Sequence, residues 1–124
     1  MSVATVIEQA LYASAARTAT PTAVSFSSRG RQRLHLIIDV TAIAASPSVV
    51  PTIDGYDSLS GKYYNLLTGV AITATGTTVL KIGPGMSASA NAVAADFLPN
   101  TVRLTMTHGD SDSATYTVAV HLAP

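Results

Sequence analysis

The chain contains no cysteine, which excludes disulfides, thiol nucleophiles and cysteine-ligated zinc. Tryptophan is absent and aromatic residues make up only 6% of the chain, so few large side chains are available for a core. Charge is scarce as well: charged residues are 11% of the total, against roughly a quarter in ordinary domains, and the formal net charge is zero. A nucleic-acid binder needs clustered Lys and Arg to displace counterions. Here the one basic cluster is Arg29, Arg31 and Arg33, so no nucleic-acid partner is expected. No apolar run approaches the ~18 residues of a membrane span. The longest candidate, Leu66–Leu80, is interrupted throughout by Thr and Gly, and no membrane partner is expected. The opening Met-Ser-Val-Ala-Thr lacks the basic and apolar regions of a signal peptide, so none is expected. No G-x-S-x-G elbow is present, and the seven acidic residues fall mostly in turn-like stretches. The expectation is a protein that is not an enzyme and needs no cofactor.

What remains is apolar and small. Hydrophobic residues are 48% of 124, which argues against disorder, but much of that count is Ala and Val. A core built from them is thin, as expected where two sheets pack face to face. The length suits a single domain. Abundant Thr and Ser, with little charge, suit a surface that lies against other subunits.

Alternation of apolar and polar residues places the strands. Residues Val3–Arg17 fit a helical stripe and an alternating one equally poorly. The β-rich remainder favours an extended N-terminal arm leading into a strand around Glu8–Ala15, ahead of one domain at 18–124. Val24 and Phe26 form a short strand stopped by Ser28-Arg29-Gly30. Leu34, Leu36, Ile38, Val40 and Ala42 share one face of a central strand whose other face is also partly apolar. Val49–Tyr56 is a strand with Pro51 inside it; proline cannot donate to a ladder, so an edge position or a start after Pro51 is expected. Asp57–Gly61 is its turn and Lys62–Leu67 the return strand of a hairpin, with Gly61 supplying a positive φ. Gly69–Ala74 and Thr77–Ile82 are further β-like runs, and Met86–Ala95 reads as a loop with room for one helical turn. Val102, Leu104 and Met106 mark the inner face of the next strand. Tyr116, Val118, Val120 and Leu122 mark that of the last, and these two are expected to pair as an antiparallel hairpin. Seven to eight strands at this spacing predict an all-β antiparallel β-sandwich, jelly-roll-like or Ig-like.

Two stretches resemble sites and are better read as turns. D-G-Y-D-S-L-S-G around Asp54 and Asp57 lacks the acidic spacing of a calcium loop, whereas its Asp and Ser side chains suit local bonds to backbone. H-G-D-S-D at His108–Asp112 would need His35 or His121 to converge on it from other strands, and spacing does not support that, so no metal is expected. Tyr56, Tyr63 and Tyr64 are the candidate partner-contact patch. Arg29, Arg31 and Arg33 are candidates for pairing with acidic residues of a neighbouring subunit.

Four stretches carry a family resemblance. They are I-I-D-V-T-A-I (Ile37–Ile43), I-D-G-Y-D-S-L-S-G-K-Y-Y-N-L-L (Ile53–Leu67), T-A-T-G-T-T-V-L-K-I-G-P-G (Thr73–Gly85) and L-P-N-T-V-R-L-T-M-T-H-G-D (Leu98–Asp110). Together they resemble small virion structural proteins encoded by tailed bacteriophages, over about Leu11–Val120. The resemblance implies a non-enzymatic β-sandwich, made in the host cytoplasm and located on the virion. It points to a capsid decoration protein on the outer head surface, with the major capsid protein as partner. Such a protein is used as a homo-oligomer or in many symmetric copies, and Ser2–Arg17 would order on binding. A tail or head–tail connector component, or a carbohydrate-binding host-attachment module using the tyrosines, are the alternatives.

Overall fold

In a pleated strand successive side chains point to opposite faces, so a strict apolar/polar alternation commits one face to burial. Leu34, Leu36 and Ile38 are fully buried on this principle, as are Val102, Leu104, Met106, Tyr116, Val120 and Leu122. The computed structural model describes residues 5–124, in which there is no helix. Its strands are β1 (Ile7–Arg17), β2 (Val24–Ser27), β3 (Arg33–Ile43), β4 (Val49–Asp57), β5 (Lys62–Thr68), β6 (Gly76–Ile82), β7 (Val93–Ala94), β8 (Thr101–His108) and β9 (Ala114–Ala123). They form two sheets, ordered β1-β9-β3-β6-β7 and β2-β8-β4-β5, and every pairing is antiparallel except β6 with β7. The inner faces of both sheets contribute to one buried cluster, which makes the fold a β-sandwich.

Several expectations need correction. Among the described residues the strands number nine rather than seven or eight, and the 86–95 loop holds the two-residue β7 and no helical turn. Gly69–Ala74 is not a strand; Ile72 makes only an isolated bridge with Val49. Ala42 leaves the inner face because a register shift separates it from Val40.

β4 is not an edge. It lies between β8 and β5. Proline is tolerated there because the Pro51 carbonyl accepts the Gly69 N–H (2.8 Å), which places its missing donor on the same side, where β5 has just ended. The hairpin itself is present, and its outer strand β5 supplies the edge. β8 and β9 do not pair with each other. They belong to different sheets, and the 109–113 connection crosses between them. The strand expected around Glu8–Ala15 is β1, which pairs with β9 from Ile7 to Arg17. Ser2, Val3 and Ala4 lie outside the described residues.

Candidate functional site

The three candidate tyrosines divide between two faces, as adjacent positions in a strand require. Tyr56 and Tyr63 are direct partners across β4 and β5, with ring centroids 4.8 Å apart and planes tilted by 50°. Tyr64 pairs with Gly55 instead and packs on the opposite side, where Gly55 leaves room for its ring and for Pro99. The outer face of this sheet carries more than tyrosine. The Arg103 guanidinium from β8 lies 3.6 Å from the centre of the Tyr63 ring and 3.2 Å from Asp54 Oδ2. Asn65 donates to Asp54 (3.4 Å) and to Thr68 (3.0 Å), and the Ser25 hydroxyl stands 3.4 Å from that of Tyr63. Arg103 was not among the residues singled out from the sequence. Its strand parity signals an outward side chain, but nothing local signals that β8 neighbours β4. A sugar ring stacks on an open aromatic face, and at Tyr63 one face is already taken by a guanidinium.

Two of the three arginines, Arg31 and Arg33, direct their side chains to backbone carbonyls. Arg29 occupies a left-handed turn position (φ 53°) after β2. Arg31 donates from Nε to the Thr5 carbonyl (3.0 Å) and from a terminal nitrogen to the Arg29 carbonyl (2.9 Å). Arg33 donates to the Pro124 carbonyl. Arg31 and Arg33 therefore fasten residues near the two ends of the chain.

The outer face of the other sheet brings together residues that spacing kept apart. His35 of β3 and His121 of β9 are direct Cα partners, flanked in the same cross-strand row by Glu8 and Lys81. Glu8 Oε1 lies 3.5 Å from His121 Nδ1. Burial first, then the charges of Lys81 and His121, holds the His35 pKa below the ordinary histidine value. Both histidines, with Val6, Arg33, Met86 and Ala123, line a cavity of about 190 Å³. Among the described residues, no three His, Asp or Glu side chains converge as a metal centre would require. Further along, the row Ala10, Ala119, Ile37, Val79 carries no charge at all.

The two suspected turn motifs behave as turns. Asp57 accepts from Leu59 N (3.1 Å), Ser60 N (3.3 Å) and Ser60 Oγ (2.7 Å), while its carbonyl takes Gly61 N (2.8 Å) and Gly61 adopts φ 71°. The Ser60 hydroxyl first, then the Leu59 and Ser60 amides, holds the Asp57 carboxyl below the usual carboxylate range. The result is a stiff loop with Leu59 at its apex, 97% exposed. In the 108–112 stretch, Asp110 accepts from Asp112 N (3.0 Å) and Asp112 from Ser46 N (3.1 Å). The His108 imidazole makes its hydrogen bond to Tyr116 rather than to either aspartate.

No protein-family model matches the chain, and no curated protein matches it.

Proposed function

We propose that the sandwich is a jelly roll and that the chain is a structural, non-enzymatic component of a tailed-phage virion, namely a decoration protein bound to the major capsid protein on the outer head surface. The observation that carries this reading is the strand order. With the two-residue β7 set aside, the eight longer strands in chain order fall into one sheet ordered first-eighth-third-sixth and a second ordered second-seventh-fourth-fifth. That alternation matches the order expected of the double Greek key of a jelly roll, an architecture that builds viral capsid domains, and so supports this reading. It agrees with the resemblance carried by Ile37–Ile43, Ile53–Leu67, Thr73–Gly85 and Leu98–Asp110.

The surface suits the role. The Ala10–Ala119–Ile37–Val79 row, with Thr117 and Thr77 around Asp39 in the row beside it, presents a pleated face with little charge to desolvate. Such a face packs against a protein shell at low electrostatic cost. A decoration protein that bridges neighbouring shell subunits and recognises only their mature arrangement stabilises that arrangement by mass action. Because β1 is already a strand, the contact is made by a preformed surface, which lowers the entropy cost of binding.

Electron microscopy of assembled particles tests the assignment. Density for the chain repeated over the head surface is the expected result. Density confined to the tail or to one ring at a single vertex overturns it in favour of a tail or connector component.

A further inference from the structure

An edge strand presents a row of unpaired N–H and C=O groups, and proteins blunt such edges against unwanted pairing. Most edges of this sandwich are blunted. β1 slips register twice, and Arg17 takes its Ala13 and Ala15 carbonyls. β2 is only four residues long. β5 faces a register shift, and Asn91 takes its Thr68 carbonyl.

β6 is the exception. It pairs with β3 from Gly76 to Ile82 without a shift, and on its other side β7 covers only Lys81 and Ile82. The Lys81 and Gly83 amides point to that other side, donating to the Ala92 and Ala94 carbonyls. Alternation directs the N–H and C=O of Thr77 and Val79 the same way, and no strand among the described residues lies against them. The stretch Gly76–Leu80 carries no charge. Exposed apolar side chains flank it. Val79 stands on the outer face, and Val70 lines an uncharged recess of about 320 Å³ together with Ile72, Thr77 and Thr78.

We infer that β6 of one copy pairs antiparallel with β6 of a second copy, about a two-fold axis through Thr78. Thr77 of each copy then exchanges both backbone hydrogen bonds with Val79 of the other, and the two Thr78 residues face each other. The length of the bare edge identifies the occupant. It ends at β7 on one side and at the Ala74–Thr75 bend on the other, with Thr78 at its centre, so two copies in this register cover each other's open stretch and no more. The bend takes the chain off the strand line toward β4, where Ile72 bridges Val49, and this leaves room for the β7 of the second copy. A second β6 is also held extended in advance by its own β3, whereas a free peptide would have to be ordered for the same few bonds. β-branched Thr and Val meet directly across the pair, a favourable match with no charge to desolvate. An axis perpendicular to the sheet keeps both outer faces on one side, so the surface assigned to the shell stays free in the dimer.

Sedimentation equilibrium of the isolated protein should show monomer and dimer and no larger species, because a two-fold contact closes on itself. Val79→Lys brings like charges together near the axis and should weaken dimerisation by at least about tenfold. Its melting temperature in dilute solution should match the wild type, because the side chain is exposed in the single copy. The absence of native cysteine lets cross-linking read the register. Thr78→Cys should oxidise to a disulfide-linked dimer, since α-carbons of such a pair stand about 4.5 Å apart, within disulfide reach. Thr77→Cys, which opposes Val79 rather than itself, should not. Amide exchange at Thr77 and Val79 should slow as protein concentration rises. A wild type that stays monomeric up to its solubility limit, a Val79→Lys chain that dimerises equally well, or Thr77→Cys cross-linking as readily as Thr78→Cys overturns the contact. A dimer that is missing from phage heads would overturn the decoration role and leave this contact standing. Unpaired copies on imaged heads would do the reverse.

Discussion

His108 Nε2 lies 2.9 Å from the Tyr116 hydroxyl, and this single hydrogen bond joins the two sheets near the point where β8 ends and β9 begins. The imidazole is half-buried, and its Nδ1 has no partner among the described residues. Burial lowers the His108 pKa, Asp110 opposes the shift and Arg17 adds to it. His35 is lowered in the same direction. A base with a depressed pKa binds its proton more readily once unfolded. Stability is therefore complete above the ordinary histidine value, about 6.5, and is lost as pH falls below it toward the folded pKa. Urea midpoints measured from about pH 7.5 down to about 5 should fall, and His108→Gln should flatten part of that fall. A wild-type midpoint that is constant over this range contradicts the argument. Asp57, lowered from the carboxylate range, contributes only at more acid pH.

Tyr116 sets the alkaline limit. Burial pushes its pKa up to about 12, with Arg17 opposing and Tyr12 assisting. A raised acid is neutral in the fold and ionises sooner when unfolded. Its contribution is intact below the ordinary tyrosine value, about 10, and is lost as pH rises toward the folded value. Tyrosinate absorbance should show Tyr116 ionising in a late step above the ordinary tyrosine range, together with unfolding. Tyr116→Phe should remove this late step and cost about 1–2 kcal/mol, because it strands the His108 imidazole. An unchanged titration curve in Tyr116→Phe would show that Tyr116 is not the late group.

Arg17 locks the end of β1. The register slips between Tyr12 and Ala15, and the guanidinium bonds to the carbonyls of Ala13 (2.7 Å), Ala15 (3.1 Å) and Tyr116 (2.8 Å) beside that slip. It also stands 4.6 Å from the Tyr116 ring centre and 5.2 Å from that of Tyr12. Arg17→Met should destabilise by about 2 kcal/mol, the scale for charge-assisted bonds. Arg17→Lys should recover only part, since an ammonium has neither the planar fork nor the stacking surface. Hydrogen exchange should locate the loss in β1; exchange as slow as in the wild type counts against this role.

Periodicity is local, and that decides what could be read ahead of the structure. The inner faces of β3, β8 and β9 follow from alternation because each residue's face depends only on its own strand. The splitting of Tyr63 from Tyr64 is legible by the same parity, since neighbours in a strand face opposite ways however close they stand in sequence. Neighbour relations are not local. Two clean alternators such as β8 and β9 look alike whether they pair side by side or pack across a core. For the same reason the meeting of His35 with His121, and of Arg103 with Tyr63, has no signature in spacing. Pro51 misled because its rule concerns a missing donor, and whether that donor is needed depends on where a different strand ends.

Arg103 is the test of the outer tyrosine cluster. It stacks on Tyr63 and pairs with an Asp54 whose side chain is 14% exposed. Arg103→Met should cost more than Tyr63→Leu, because it leaves a largely covered carboxylate with only Asn65 as a side-chain partner, a loss of about 1–3 kcal/mol. A double-mutant cycle between Arg103 and Tyr63 should return a coupling of about 0.5–1 kcal/mol, typical of a cation over a ring near the surface. Additive effects would mean that the stacking contributes nothing.

Gly55 and Tyr64 depend on each other. A Cβ at Gly55 would stand 2.7 Å from Pro99 Cγ, 2.8 Å from Tyr64 Cζ and 2.9 Å from Tyr64 Oη, closer than packed atoms tolerate. The glycine is needed for that approach, and the tyrosine ring in turn covers a strand position that has no side chain of its own. Gly55→Ala should therefore destabilise by about 1–3 kcal/mol, the range for overpacking, and displace Tyr64 toward solvent. Combining it with Tyr64→Ser removes one of the two clashing groups, so the double variant should be more stable than the sum of the single effects allows. Thermal unfolding of the four chains measures the coupling. If Gly55→Ala costs as much in the Tyr64→Ser background as in the wild type, the clash lies with Pro99 alone and the ring is not what requires the glycine.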